Sequence, residues 1–143
     1  MRKTTLKTQP PKPSITKLKG KADILFSLAT RYRFAEQIKG VWVDKCVTCT
    51  IVKPIKQMQC GHFQSRGFNA TRYSEENTAP QCYGCNVKHQ GEQYRFSQFI
   101  DDFYGAGTAK RLEQEARRSY QFTREELEQV IHDSQEYIKA YSI

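Results

Sequence analysis

Two Cys-x-x-Cys pairs, Cys46/Cys49 and Cys82/Cys85, constrain this chain more than any other feature. Each pair sets two thiolates on one side of a tight loop. Two such loops brought together make a tetrahedral four-sulfur site, which suits Zn²⁺. The 32 residues between the pairs exceed the roughly 15–20 of a simple zinc ribbon. A further unit is therefore nested between the knuckles. That stretch carries His62 and Asn77, and Asn86 follows directly after the last cysteine. Five cysteines, four of them at metal spacing, point to thiolate ligands in a reducing compartment rather than to disulfides.

A chain of 143 residues fits one domain. No apolar run reaches the length of a membrane span and no signal-peptide stretch opens the sequence, so a soluble, cytoplasmic protein is expected. The net charge of +8 is uneven: residues 1–20 contribute +6, 21–40 +2, 41–90 +3 and 91–143 −3. A polyanionic partner suits the first ninety residues better than the tail. Residues 1–20, with six Lys/Arg, three prolines and no acid, read as a basic flexible arm, and 21–143 as the single folded domain.

Within that domain a long N-terminal helix is expected from Lys21 to Lys39. Its stripe is Ile24, Leu25, Leu28, Tyr32, Ala35 and Ile38, with Gly40 as its stop. Val41-Trp42-Val43 reads as a short strand. Residues 51–63 look extended, with Pro54 forcing an edge; Met58, Cys60 and His62 would share one face, Gln59 and Phe63 the other. A polar loop follows, then a short returning strand at 77–81 and a short helix from Gly84 to Gly91. The remainder, 92–143, is helical: Glu92–Tyr104, Thr108–Ser119, and a last helix opened by the capping box Thr123-x-x-Glu126. The fold class is α+β, a small zinc-stapled ββα core flanked by helices.

An extended segment ending in His62, a loop, Asn77, and a helix bearing Asn86 describe the ββα-metal (HNH) nuclease arrangement. Phosphodiester hydrolysis needs an activated water, a cation to neutralise charge at phosphorus, and a group that holds the base in line. A neutral imidazole takes the proton from water near pH 7, an asparagine amide can orient the ring, and a divalent cation stabilises the phosphate. His62, Asn77 and Asn86 stand in the order those roles require. Arg66, Arg72 and Lys88 are candidates for phosphate contacts.

The run Cys46-Val-Thr-Cys49, Gly61-His62-Phe63, Arg72-Tyr73-x-x-x-Asn77 and Gln81-Cys82-x-x-Cys85-Asn86 resembles the NinG/Rap family of lambdoid phage recombination endonucleases. The resemblance covers roughly Cys46 to Tyr94. It implies a metal-dependent endonuclease of the bacterial cytoplasm that cleaves branched DNA, including Holliday junctions and D-loops, with structural zinc and a catalytic Mg²⁺ or Mn²⁺. HNH motifs usually carry Asp or His immediately before the catalytic His; here Gly61 stands there, and Gln59 occupies the place of an expected acid. Asn86 and His89, three residues apart on one helical face, are then the candidate cation ligands. Cys60 would favour a softer ion than Mg²⁺. Cutting both strands of a junction would suit a homodimer, with the C-terminal helices as its interface. Two other readings fit the residues: a general or sequence-directed HNH endonuclease of the restriction or homing type, and a non-catalytic zinc-knuckle DNA-binding protein.

Overall fold

The structure, a computed structural model, describes residues 8–141; the first seven residues of the basic arm lie outside it. Helix α1 (Ile15–Arg31) begins inside the stretch read as an arm. Ser14 caps it, its Oγ accepting from the Lys17 N–H at 3.2 Å, and Leu18 and Ala22 are buried against Leu127 and Ile131. Lys17 lies on the solvent side of this helix and Lys19 turns in to donate to Asn69 Oδ1 at 2.9 Å, so the apolar stripe starts earlier than the segment's charge and prolines imply.

The same helix ends earlier than Lys39. Strands β1 (Glu36–Ile38) and β2 (Val41–Lys45) pair antiparallel with Ile38 opposite Val41. Lys39 and Gly40, at φ 50° and 77°, make the two-residue turn between them, a hairpin connection that requires positive φ at both central residues. Gly40 therefore closes a hairpin rather than a helix, Ala35 and Ile38 lie outside α1, and Ile24 is 70% exposed. Strand β3 (Val52–Pro54) completes a three-stranded sheet in the order β1-β2-β3. Pro54 ends its edge strand, where a missing N–H costs no ladder bond.

Strands β4 (Met58–His62) and β5 (Thr78–Cys82) form a second, two-stranded antiparallel sheet in which His62 faces Thr78, Gly61 faces Ala79 and Met58 faces Cys82. One face presents Met58, Cys60 and His62; the other carries Gly61 and Ala79, as strand alternation requires. Immediately after β5, Gly84–Lys88 forms a single π-helical turn. It closes with the His89 N–H donating to the Gly84 carbonyl at 2.9 Å and the Gly91 N–H to the Cys85 carbonyl at 2.8 Å.

Helices α2 (Gln93–Tyr104), α3 (Thr108–Ala116) and α4 (Arg124–Lys139) complete the chain. Phe96, Ile100, Ala109 and Leu112 bury the Ala79 face of β5, and Phe63, next after His62, packs its ring 5.7 Å from that of Phe96. The Thr123/Glu126 capping box forms as expected, with both reciprocal hydrogen bonds present. The inward stripe of α4, Leu127, Ile131, Ser134 and Ile138, is buried, and Leu127 and Ile131 meet α1. No helix among the described residues is long and apolar enough to cross a membrane.

Phe96 is fully buried beneath the strand pair that ends in His62. Phe96→Ala should cost about 3–5 kcal/mol in chemical denaturation, with the slope of the transition unchanged.

Candidate functional site

The Cys46, Cys49, Cys82 and Cys85 sulfurs lie within 4.8 Å of one another, and none of the chain's five cysteines is in a disulfide. Cys46 follows β2, Cys49 lies in the next turn, Cys82 ends β5 and Cys85 sits in the π turn, so the cluster joins the two sheets. A tetrahedral zinc with Zn–S near 2.3 Å has sulfur–sulfur edges of about 3.8 Å; Cys49 Sγ and Cys82 Sγ stand 3.7 Å apart. The donor set and spacing fit a structural metal ion such as zinc. At Cys46 burial raises the thiol pKa, but hydrogen bonds from the Thr48 hydroxyl and neighbouring backbone N–H groups outweigh it and hold it low. Burial and the adjoining thiols push Cys49 and Cys85 up. Ion binding must therefore expel protons from the cluster.

Beside this cluster His62 lines a cavity of about 310 Å³ together with Asp23, Ser27, Cys60, Ser65, Arg66 and Asn86. His62 Nε2 lies 3.0 Å from the Arg72 carbonyl. A carbonyl only accepts, so this contact places the ring proton on Nε2 and leaves Nδ1 with its lone pair. Burial lowers the imidazole pKa below its ordinary value. The Arg72 carbonyl acts to raise it, and the Arg66 and Arg72 charges lower it further, against a smaller opposing pull from Asp23. The ring is consequently neutral at pH 7.

The other anticipated residues divide between cavity and scaffold. Asn86 lines the cavity, its amide donating to Gln59 Oε1 at 2.6 Å. Arg66 is exposed at the rim. Asn77 is buried and does not orient the ring directly: its Oδ1 accepts from the Gln64 N–H at 2.8 Å, and its Nδ2 donates to the Gln64 and Thr71 carbonyls at 3.0 and 3.1 Å. It ties the 63–77 loop closed, and the loop in turn supplies the Arg72 carbonyl. Arg72 is not available to phosphate. Its guanidinium grips Asp23 through Nε and Nη2 at 2.8 and 2.5 Å and donates to the Arg66 carbonyl at 2.7 Å. Lys88 lies over the Tyr83 ring, 6.0 Å from its centroid, and outside the cavity lining.

His89 lies outside the cavity lining, 65% exposed and 3.9 Å from Glu92. Three-residue spacing puts side chains on one face of an α-helix; here the segment is a wider π turn that ends at Lys88, with His89 as its non-helical cap, and the two side chains part. Cys60 lines the cavity, but burial pushes its thiol up to about 11, against hydrogen bonding from Thr30 and the charges of Arg33, Arg31 and Arg66. In the absence of an ion it is therefore a neutral thiol at pH 7.

Asp23 and Ser27 were not legible as site residues. They stand one turn apart on the polar side of α1 and form a wall of the cavity. The one available signal is that Asp23 is the only acidic residue before Glu36.

A family model described as the bacteriophage lambda NinG protein matches residues 12–142, nearly the whole chain. The chain belongs to the NinG family. No curated protein and no solved structure gives a significant match.

In this NinG-family chain the cavity does not present the charged oxygens by which a hard dication is held. Its one carboxylate, Asp23, already accepts three hydrogen bonds, two from Arg72 and one from the Tyr73 hydroxyl at 2.8 Å. Asn86, Ser27 and Ser65 are neutral. Nor can position 61 supply an acid, because a Cβ there would lie 2.1 Å from Gln81 Oε1. Gln81 is fully buried and fixed by donating to Thr48 Oγ1 at 3.1 Å and the Gly91 carbonyl at 2.9 Å.

Two measurements check these assignments. Cys82→Ser should release about one zinc per chain and unfold the core, since structural zinc supplies around 10–16 kcal/mol in small modules; metal analysis and circular dichroism read both. Gly61→Ala should destabilise by about 1–3 kcal/mol through displacement of Gln81, seen as a lowered Tm with zinc retained.

Proposed function

We propose that this NinG-family protein is an endodeoxyribonuclease of the ββα (HNH-like) type that cuts branched recombination intermediates. The observation that carries the reading is His62: a neutral imidazole whose Nε2 is pinned by a backbone carbonyl and which lines a cavity with Asn86 and Arg66. Nδ1 takes a proton from water, the hydroxide attacks phosphorus, and one P–O ester bond breaks to leave a phosphate end and a hydroxyl end. Arg66 at the rim, with Arg31 close enough to act on Cys60, supplies positive charge where phosphate would sit. Asn86, held by Gln59, orients the scissile group. The order β4, loop, β5, π turn supports the ββα comparison. The preference for branched DNA rests on the family's setting in lambdoid phage recombination. The requirement for Mg²⁺ or Mn²⁺ is part of the same proposal, although the cavity residues do not themselves fit a preformed site for such an ion.

That poor fit favours a second reading, a zinc-stapled DNA-binding protein without catalysis. A nuclease assay decides between the two. Purified protein should cut a four-way junction faster than linear duplex of the same sequence in Mg²⁺ or Mn²⁺, and His62→Ala should lower the rate by about 100- to 10,000-fold. Intact substrates under all conditions would leave only the binding reading, and equal cutting of junction and duplex would remove the branched preference. The pH profile adds a check on the base. Cleavage by a neutral imidazole is lost as pH falls through the His62 pKa. That pKa lies below the ordinary imidazole value, so activity should persist to lower pH than an unperturbed histidine allows.

A further inference from the structure

We propose that Asp23 of α1 is a positioning residue for His62, acting through Arg72. It rests on the reading of His62 as general base and adds a group from outside the strand–loop–strand unit. The chain of contacts is continuous. Asp23 Oδ1 accepts from Arg72 Nε at 2.8 Å and from the Tyr73 hydroxyl at 2.8 Å, and Oδ2 accepts from Arg72 Nη2 at 2.5 Å. The Arg72 guanidinium also donates to the Arg66 carbonyl at 2.7 Å, closing the loop on itself. The main-chain carbonyl of this same Arg72 holds His62 Nε2 at 3.0 Å. A carbonyl on a polar loop fixes a ring only if its own peptide is fixed, and here the peptide is fixed by its side chain's bidentate grip on a helix. Both partners of the pair are largely out of solvent, at 12% and 16% side-chain exposure.

Asp23 also sets the charge around the ring. The charged groups bearing on His62 are Arg66 and Arg72 from the loop and Asp23 from α1. Asn86 and the neutral Cys60 thiol add no charge from the π turn and from β4. Burial raises the Asp23 pKa, but the hydrogen bonds and charge of Arg72 and the Tyr73 hydroxyl more than offset this and keep it ionised. Neutralising it would leave two cations facing the imidazole and lower the His62 pKa further.

The test is nitrogen-15 NMR of the His62 ring across pH in full-length, zinc-loaded protein, alongside junction cleavage. Wild type should show a single Nε2–H tautomer at neutral pH. Asp23→Asn should show mixed tautomers, a His62 titration displaced to lower pH, and cleavage reduced by about 10- to 100-fold with zinc content unchanged. Asp23→Glu, which keeps the charge, should recover the single tautomer in large part. Wild-type ring shifts and titration in folded Asp23→Asn would overturn the proposal. If Asp23→Asn does not fold, Arg72→Lys, which keeps both charges but loses the fork, should produce the same tautomer mixing, and an unchanged ring there would equally overturn it. If wild type itself cuts no DNA, the base assignment fails while the ring spectra still decide whether Asp23 positions His62.

Discussion

The four-cysteine cluster is the joint on which the architecture depends. Neither sheet could stand alone: one has three strands of three to five residues and the other only two, and isolated pairs of this kind are marginal in water. The sulfurs come from the end of β2, the turn after it, the end of β5 and the π turn. A cation held at their centre would therefore fix the sheets relative to each other and the π turn relative to β4. Met58, at the start of β4, packs on the same cysteines. His62 is four residues further along that strand, so its position is referenced directly to the cysteine cluster.

A second set of bonds determines what the histidine can do. The loop between β4 and β5 is anchored by the packed rings of Phe63 and Tyr73, and its polar remainder is held by hydrogen bonds from three directions. Asn77 braces it from inside, Arg72 from its edge, and Arg33 from the turn that follows α1. The Arg33 guanidinium donates to the Glu75 carbonyl at 2.9 Å, to the Thr78 carbonyl and to Thr78 Oγ1 at 3.0 Å. Two arginines that look like phosphate contacts in a basic chain are thus occupied by carbonyls and a carboxylate. Net charge describes the molecule's field and says little about which cations are free. Arg66, exposed at the cavity rim, keeps that freedom.

Much of this was readable from residue order because it rests on local pattern. The cysteine spacing, the alternation along 58–63, the capping box at Thr123 and the helical stripes after Gln93 are all short-range signals. What escaped the sequence is non-local. The start of α1 depends on the packing of Leu18 and Ala22 against a helix more than a hundred residues away, and the Lys39-Gly40 turn competes with a helical stop using the same glycine. The placement of His89 turns on one extra residue in a π turn. The group that fixes the imidazole is a backbone carbonyl, which has no residue signature, and Asp23 is joined to it only through the tertiary pairing with Arg72.

The missing acid before His62 has a structural cause. Gly61 lies opposite Ala79 in the sheet, on the face where the Gln81 side chain crosses it. Gln81 in turn bridges Thr48, whose hydroxyl contacts Cys46 Sγ at 3.3 Å, and the Gly91 carbonyl that ends the second knuckle. An aspartate at position 61 would displace the glutamine that braces both knuckles. Such a chain would exchange a scaffold bond for a ligand, and this one keeps the scaffold bond. The negative charge near the imidazole then comes from the helix, as Asp23, already paired and so unable to grip a hard cation strongly. On the proposed reading, a site built this way would leave most of the work at phosphate to arginine charge and to the orientation of one ring.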